Sequence, residues 1–301
     1  LLPSGALTTL NSFFDIAHRQ IAPAVGSLHL MFKRILVPVD FSPTSTRAVQ
    51  YAAKMMAMHG GTLYLMHAVN TAIPDPYVPA YYTLDAAREQ SEASGSELEA
   101  LARSIRADYG VPVETAVLIG DLSGSLNDQV QQKQADLVVM GTHGAKNWLD
   151  RLSGTHTELM VNHLPVPLLV VPESGTWQPW NVIACGTDYT GSEEALSESL
   201  LAFAAADQPQ IVFIHVHRGE EQDASFPKQL LQQYVNRNLN LELLEVSGES
   251  IAKVLLETAQ NRKAALLVVQ ALHREWSERL LHKSVAKTLA TTTELPLLII
   301  H

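Results

Sequence analysis

The chain reads the same way twice, and a repeat of this length constrains the fold more than any single motif does. From Phe32, the run Lys33-Arg34-Ile35-Leu36-Val37-Pro38-Val39 is a short apolar strand, and Asp40-Phe41-Ser42-Pro43 punctuates it. A helical pattern follows from Ser45 to about His59, closed by Gly60-Gly61. Strands are then expected near 62–69, 111–119, 135–140 and 168–171, with helices near 85–108, 122–133 and 155–163 and a long loop at 70–84. The second pass gives strands near 182–184, 210–217, 239–246, 264–269 and 297–300. Its helices fall near 192–205, 226–237, 249–260 and 280–291, in the order of the first pass. Asp136-Leu137-Val138-Val139 lies over Ala265-Leu266-Leu267-Val268, and Pro167-Leu168-Leu169 over Pro296-Leu297-Leu298, with one constant spacing. Strands that alternate with helices predict parallel sheets with helices on both faces.

A chain of 301 residues has room for two domains, each able to bury a core. The expected division is an extension at 1–30, a first domain at 31–172, a linker at 173–180 and a second domain at 181–301. An amphipathic helix is the other reading of the extension. With 47% hydrophobic and 17% charged residues the composition is globular, not disordered. A net charge of -10 argues against a general nucleic-acid or membrane-surface binder, because both need a basic face. The single cysteine, Cys185, permits no internal disulfide, and no apolar run reaches the roughly 18 residues of a membrane span. Both features lead to the expectation of a cytoplasmic protein.

The most specific signal follows the fourth strand. It reads Gly141-Thr142-His143-Gly144, then nine residues, then Gly154-Thr155-His156-Thr157. Glycines let backbone approach a polyphosphate closely, and the free N–H groups of a helix beginning at Gly154-Thr155 favour anions. The Thr155 and Thr157 hydroxyls add donors. The loop leaves the carboxyl end of a parallel strand, where open α/β sheets bind ligands.

Val37-Pro38-Val39-Asp40-x-Ser42, the stretch Ala135 to Gly144, Gly154-Thr155 and the stretch Pro165 to Pro172 together resemble the universal stress protein family. The likeness is close over 31–172 and holds in outline over 181–301. It implies an α/β fold of two tandem Rossmann-like domains, of the adenine nucleotide alpha hydrolase type. Each would be a five-stranded parallel sheet of order 3-2-1-4-5, often paired through its last strand. It further implies that Pro38 and Asp40 line the adenosine end and that the Val69 backbone meets the adenine edge. Met140 and Gly141 would flank the ribose and phosphates. Gly144, Gly154, Thr155 and Thr157 would cradle the phosphates of ATP, with or without Mg2+. Asp40 can also be read as a cap for the following helix, the lesser of the two readings.

In the second half the constant spacing turns Gly141 into Gln270, Gly144 into His273 and Gly154 into Lys283, leaving only the hydroxyl of Ser284. Ungapped alignment sets Cys185 at Pro38 and Thr187 at Asp40; a one-residue slip would put Asp188 there instead. No ATP is expected in this half, which would act as an internal dimer partner, with a homodimer of the whole chain as a further expectation. His215 and His217 lie at i, i+2 on one strand face and could bind zinc if His273 or Asp188 converged on them; two partly buried polar residues is the plainer reading. Cys185 reads as a buried apolar residue. No catalytic residue is assigned, since the loop has no general base, metal cluster or Walker-type lysine, and any ATP hydrolysis is expected to be slow. The competing functional expectation is a scaffold or a protein that binds another small ligand or a metal. A related nucleotidyl transferase or pyrophosphatase would show His-x-Gly-His or Ser-Gly-Gly-x-Asp-Ser near the first strand, and the chain has neither.

Overall fold

The computed structural model describes residues 32–69, 80–120, 122–142, 164–187, 209–217, 240–270 and 280–300. The strands are β1 (Arg34–Pro38), β2 (Thr62–Val69), β3 (Val113–Ile119), β4 (Leu137–Gly141) and β5 (Leu168–Val171), then β6 (Val182–Thr187), β7 (Gln210–His217), β8 (Asn240–Ser247), β9 (Leu266–Gln270) and β10 (Leu297–Ile300). The helices are α1 (Pro43–His59), α2 (Ala80–Tyr109), α3 (Leu122–Lys133), α4 (Ile251–Asn261) and α5 (Leu280–Thr292).

All ten strands form one sheet in the order β3-β2-β1-β4-β5-β10-β9-β6-β7-β8. Each half therefore has the expected order 3-2-1-4-5, and its neighbouring strands run parallel. The halves meet at one antiparallel seam, where Leu297, Leu298 and Ile299 of β10 face Val170, Leu169 and Leu168 of β5. The last strand of each half is short and apolar on both faces, with all four residues buried. An edge of that kind needs a partner, and here the other half supplies it.

Two apolar cores lie on the two faces of the sheet. On one, Ile35, Val37 and Val39 of the first half join Ile183, Cys185, Leu298 and Ile300 of the second beneath α1 and α2. On the other, Leu36, Leu168 and Val170 join Ala184, Leu267, Leu297 and Ile299 beneath α3, α4 and α5. Alternate residues of β5 and β10 enter opposite cores, so both cores cross the seam without a break.

Three local features depart from the sequence expectation. Helix α2 starts at Ala80 and not near 85, because Ala80-Tyr81-Tyr82-Thr83-Leu84 follows the last proline of the loop and contains no residue that stops a helix. Strand β6 runs on to Thr187, three residues past the expected end. The segment 172–180 packs against the first half and is not a loose connection. The Trp180 indole N–H donates to the Tyr51 hydroxyl at 3.0 Å, and the Trp177 ring stands edge-on to Tyr51 at 5.3 Å. The sequence expectations for 1–30 and for helices near 155–163, 192–205 and 226–237 lie outside the described residues.

Candidate functional site

The strand order reverses at β1, which has β2 on one side and β4 on the other. In an open α/β sheet such a switch point leaves a crevice beyond the carboxyl ends of the strands. Here the crevice is walled by Pro38, Val39 and Asp40 after β1, Thr44 and Ser45 at the start of α1, and His67 and Ala68 in β2. Leu122 of α3 and Met140 and Gly141 of β4 complete it. About 490 Å³ of this cleft is free of protein atoms, part of it open to solvent.

The corner between β1 and α1 is built by short polar side chains. The Ser42 hydroxyl accepts the Ser45 N–H at 3.1 Å and so caps α1, while Pro43 occupies the first turn, where its missing N–H costs nothing. The Asp40 carboxylate accepts the Ser42 N–H at 3.0 Å, and the Asp40 N–H reaches the Ser45 hydroxyl at 3.4 Å. Ser42 is thus the cap and Asp40 the brace behind it, with the Asp40 side chain still exposed toward the cleft. Between them Phe41 sits at φ 61°, a left-handed conformation unusual for an aromatic residue.

Gly141 has a steric reason to be glycine. A Cβ placed there would lie 2.6 Å from the Thr44 carbonyl oxygen and 2.8 Å from its carbon, so β4 and the start of α1 can touch only with no side chain between them. Among the described glycines, positive φ belongs to Gly60, Gly61, Gly110 and Gly120 and not to Gly141. Thr142 follows, buried, with its N–H on Val171 O at 3.0 Å.

The cleft therefore gathers Pro38, Asp40, Met140 and Gly141. Val69 does not line it: that residue is buried, and its carbonyl accepts the Gly120 N–H at 3.0 Å, leaving Ala68 and His67 as the β2 wall. Gly144, Gly154, Thr155 and Thr157 lie outside the described residues, as do His143 and His156. Thr44, Ser45, His67, Ala68 and Leu122 were not foreseen. Ser42-Pro43-Thr44-Ser45 carried a signal for the first two, since clustered hydroxyls at a helix start face whatever that helix end faces.

In the second half, Gly186 pairs with Ile214 and Thr187 with His215, as Pro38 pairs with Met66 at the same distance from the end of β2. This corrects the ungapped alignment. Cys185 stands at the place of Val37, Gly186 at that of Pro38 and Thr187 at that of Val39, so Asp188 follows as Asp40 does. Gln270 does occupy the place of Gly141, each being the last residue of its strand and paired with the end of β10 or β5. Lys283 and Ser284 belong to α5. His273 and Asp188 lie outside the described residues, and among the described residues no three His, Cys, Asp or Glu side chains gather to hold a metal ion. His215 is buried, at 8% exposure, and His217 half-buried. Cys185 is fully buried, and burial pushes its thiol well above the ordinary range. Among the described residues no helix is long and apolar enough to cross a membrane.

The universal stress protein family model matches residues 31–172. A universal stress protein of Synechocystis is 30% identical over 155 residues, covering 52% of this chain and 94% of that protein. One from Thermus aquaticus is 30% identical over 142 residues, covering 47% of this chain and 99% of that one. The crystal structure of a universal stress protein from Archaeoglobus fulgidus superposes with a TM-score of 0.69 at 14% identity, covering 89% of this chain and 97% of that one. The family model thus falls on the first half, and the likeness of fold extends over both.

Proposed function

The chain belongs to the universal stress protein family, and from that premise we propose that its first half binds an adenine nucleotide, ATP, in the cleft between β1 and β4. The observation that carries this reading is that the cleft opens at the switch point of the sheet and β4 runs from its wall into Gly141-Thr142-His143-Gly144. The donor set suits a nucleoside. Val39, Leu122 and Met140 offer apolar surface for a flat base, while Asp40, Thr44 and Ser45 offer polar groups for a ribose. The triphosphate would lie on Gly144, Gly154, Thr155 and Thr157, in the loop and helix start that follow.

In this reading the chain divides at 173–180, and the second half is an internal partner. Gln270 stands where β4 ends in glycine, which speaks against ATP in the same pose there. Because β5 and β10 already pair with each other, a homodimer would have to use another surface. Nucleotide would act by ordering the stretch 141–155 and changing the surface it presents, in a cytoplasmic regulator whose ATP turnover is slow.

The test is mass spectrometry of small molecules released from the purified protein. ATP recovered from the wild type and lost in Gly154→Glu supports the reading. Recovery unchanged by Gly154→Glu contradicts the placement, and no binding at millimolar nucleotide favours a scaffold.

A further inference from the structure

We propose that His67 is a positioning residue for Asp40; the same ring-to-carbonyl contact recurs at His215 in the second half. Its bearing on ligand rests on the nucleotide reading above; the geometry of the corner does not.

The His67 Nδ1 lies 2.6 Å from the carbonyl oxygen of Val39. A carbonyl has no hydrogen to give, so Nδ1 carries the proton and donates it. The same ring lies against Phe41, with centroids 4.8 Å apart and planes tilted by 40°. One imidazole thus grips the chain immediately before and immediately after Asp40. The grip matters because this corner is strained. Phe41 holds φ 61°, and a non-glycine residue stays in that region only when its surroundings over-determine it. The ladder from β2 also ends here, with the Val39 N–H on Met66 O at 2.7 Å as the last backbone bond from β1 to β2 among the described residues. Beyond it, the ring of His67 and the hydroxyls of Ser42 and Ser45 set the path of the chain.

The second half repeats the contact. His215 Nδ1 lies 3.0 Å from the carbonyl oxygen of Thr187, which holds the place of Val39. In sequence Asp188-Tyr189 follows, as Asp40-Phe41 does in the first half. The glycine of β4 has no counterpart there, since β9 ends in Gln270. A device kept where that glycine is lost belongs to the β1–α1 corner and not to the phosphate loop. The first half then differs from the second in having both the corner and the glycine.

The experiment combines two readouts. Nitrogen NMR of the imidazoles in the full chain, assigned with His67→Asn and His215→Asn, reports which ring nitrogen carries the proton. Protonated Nδ1 is expected in both residues, and a proton only on Nε2 of His67 overturns the proposal. Equilibrium dialysis with labelled ATP then compares His67→Ala, His67→Gln and His67→Asn. Asparagine can place an amide N–H near the Nδ1 position, whereas glutamine reaches past it. His67→Ala and His67→Gln are expected to bind about tenfold more weakly and His67→Asn within about threefold of wild type. Unchanged binding by His67→Ala, or loss in His67→Asn equal to that in His67→Ala, overturns the proposal. Should the wild type bind no ATP, the nucleotide reading fails by itself, and the NMR readout still decides whether the corner is held in this way.

Discussion

Replacing Gly141 by alanine tests whether close contact of β4 with α1 builds the cleft. The added methyl would sit 2.6 Å from Thr44 O, where ordinary contact starts at 3.4 Å. The start of α1 must therefore withdraw by roughly 0.8 Å, or the end of β4 must move as far, an overpacking that costs about 1–3 kcal/mol. In a domain of this size each kcal/mol lowers the melting temperature by about 2–4 °C, so a fall of about 2–12 °C is expected by differential scanning calorimetry. Thr44 and Ser45 line the cleft, and their displacement should weaken ATP binding at least about tenfold, since a misplacement of about 1 Å can cost a hundredfold. Gly60→Ala is the control. Gly60 has φ 74° and open space around the position of its Cβ, so alanine there should cost about 1–2 kcal/mol through backbone conformation alone. It should leave ATP affinity unchanged. A Gly141→Ala protein that melts and binds as the wild type does would refute the steric argument. Equal loss of affinity in both variants would trace the effect to stability and not to the cleft.

Ser42→Ala removes the cap of α1 and should lower stability by about 1 kcal/mol in urea unfolding. Trp180→Phe deprives the Tyr51 hydroxyl of its indole donor. Burial already holds that phenol far above its ordinary pKa, so the orphaned group should cost about 1–3 kcal/mol, read by thermal unfolding and near-ultraviolet circular dichroism. The Cys185 thiol should not react with a thiol reagent at pH 8 until the chain unfolds, because burial disfavours the thiolate; rapid modification of the native protein would contradict its place in the core.

The sheet was legible because its signals are local and repeated. Apolar runs such as Leu137–Val139 and Leu266–Val268 recur at one spacing and can only be buried strands. The seam was legible in kind, since two short strands buried on both faces must each find a neighbour. Pro38, Asp40, Met140 and Gly141, named from a motif, line one cleft, but the steric reason for Gly141 was not legible in that motif. Its need to lack a side chain comes from Thr44, far away in sequence, and no periodicity reports such a contact. His67 was missed for a related reason: a histidine in an apolar strand shows its partner only when β1 and β2 are laid side by side. Alignment without gaps misplaced Thr187 by one residue, and only the pairing of β6 with β7 shows that Thr187 stands at the place of Val39.

The central claim is that the two halves share a fold while the seat for a nucleotide belongs to the first alone. A crystal structure of the full chain grown with ATP tests it most directly. The account predicts one nucleotide per chain, its base against Val39, Leu122 and Met140 and its phosphates on the stretch from Gly141 to Thr157. A nucleotide lodged beside Gln270 and Lys283 with the first cleft empty would contradict it.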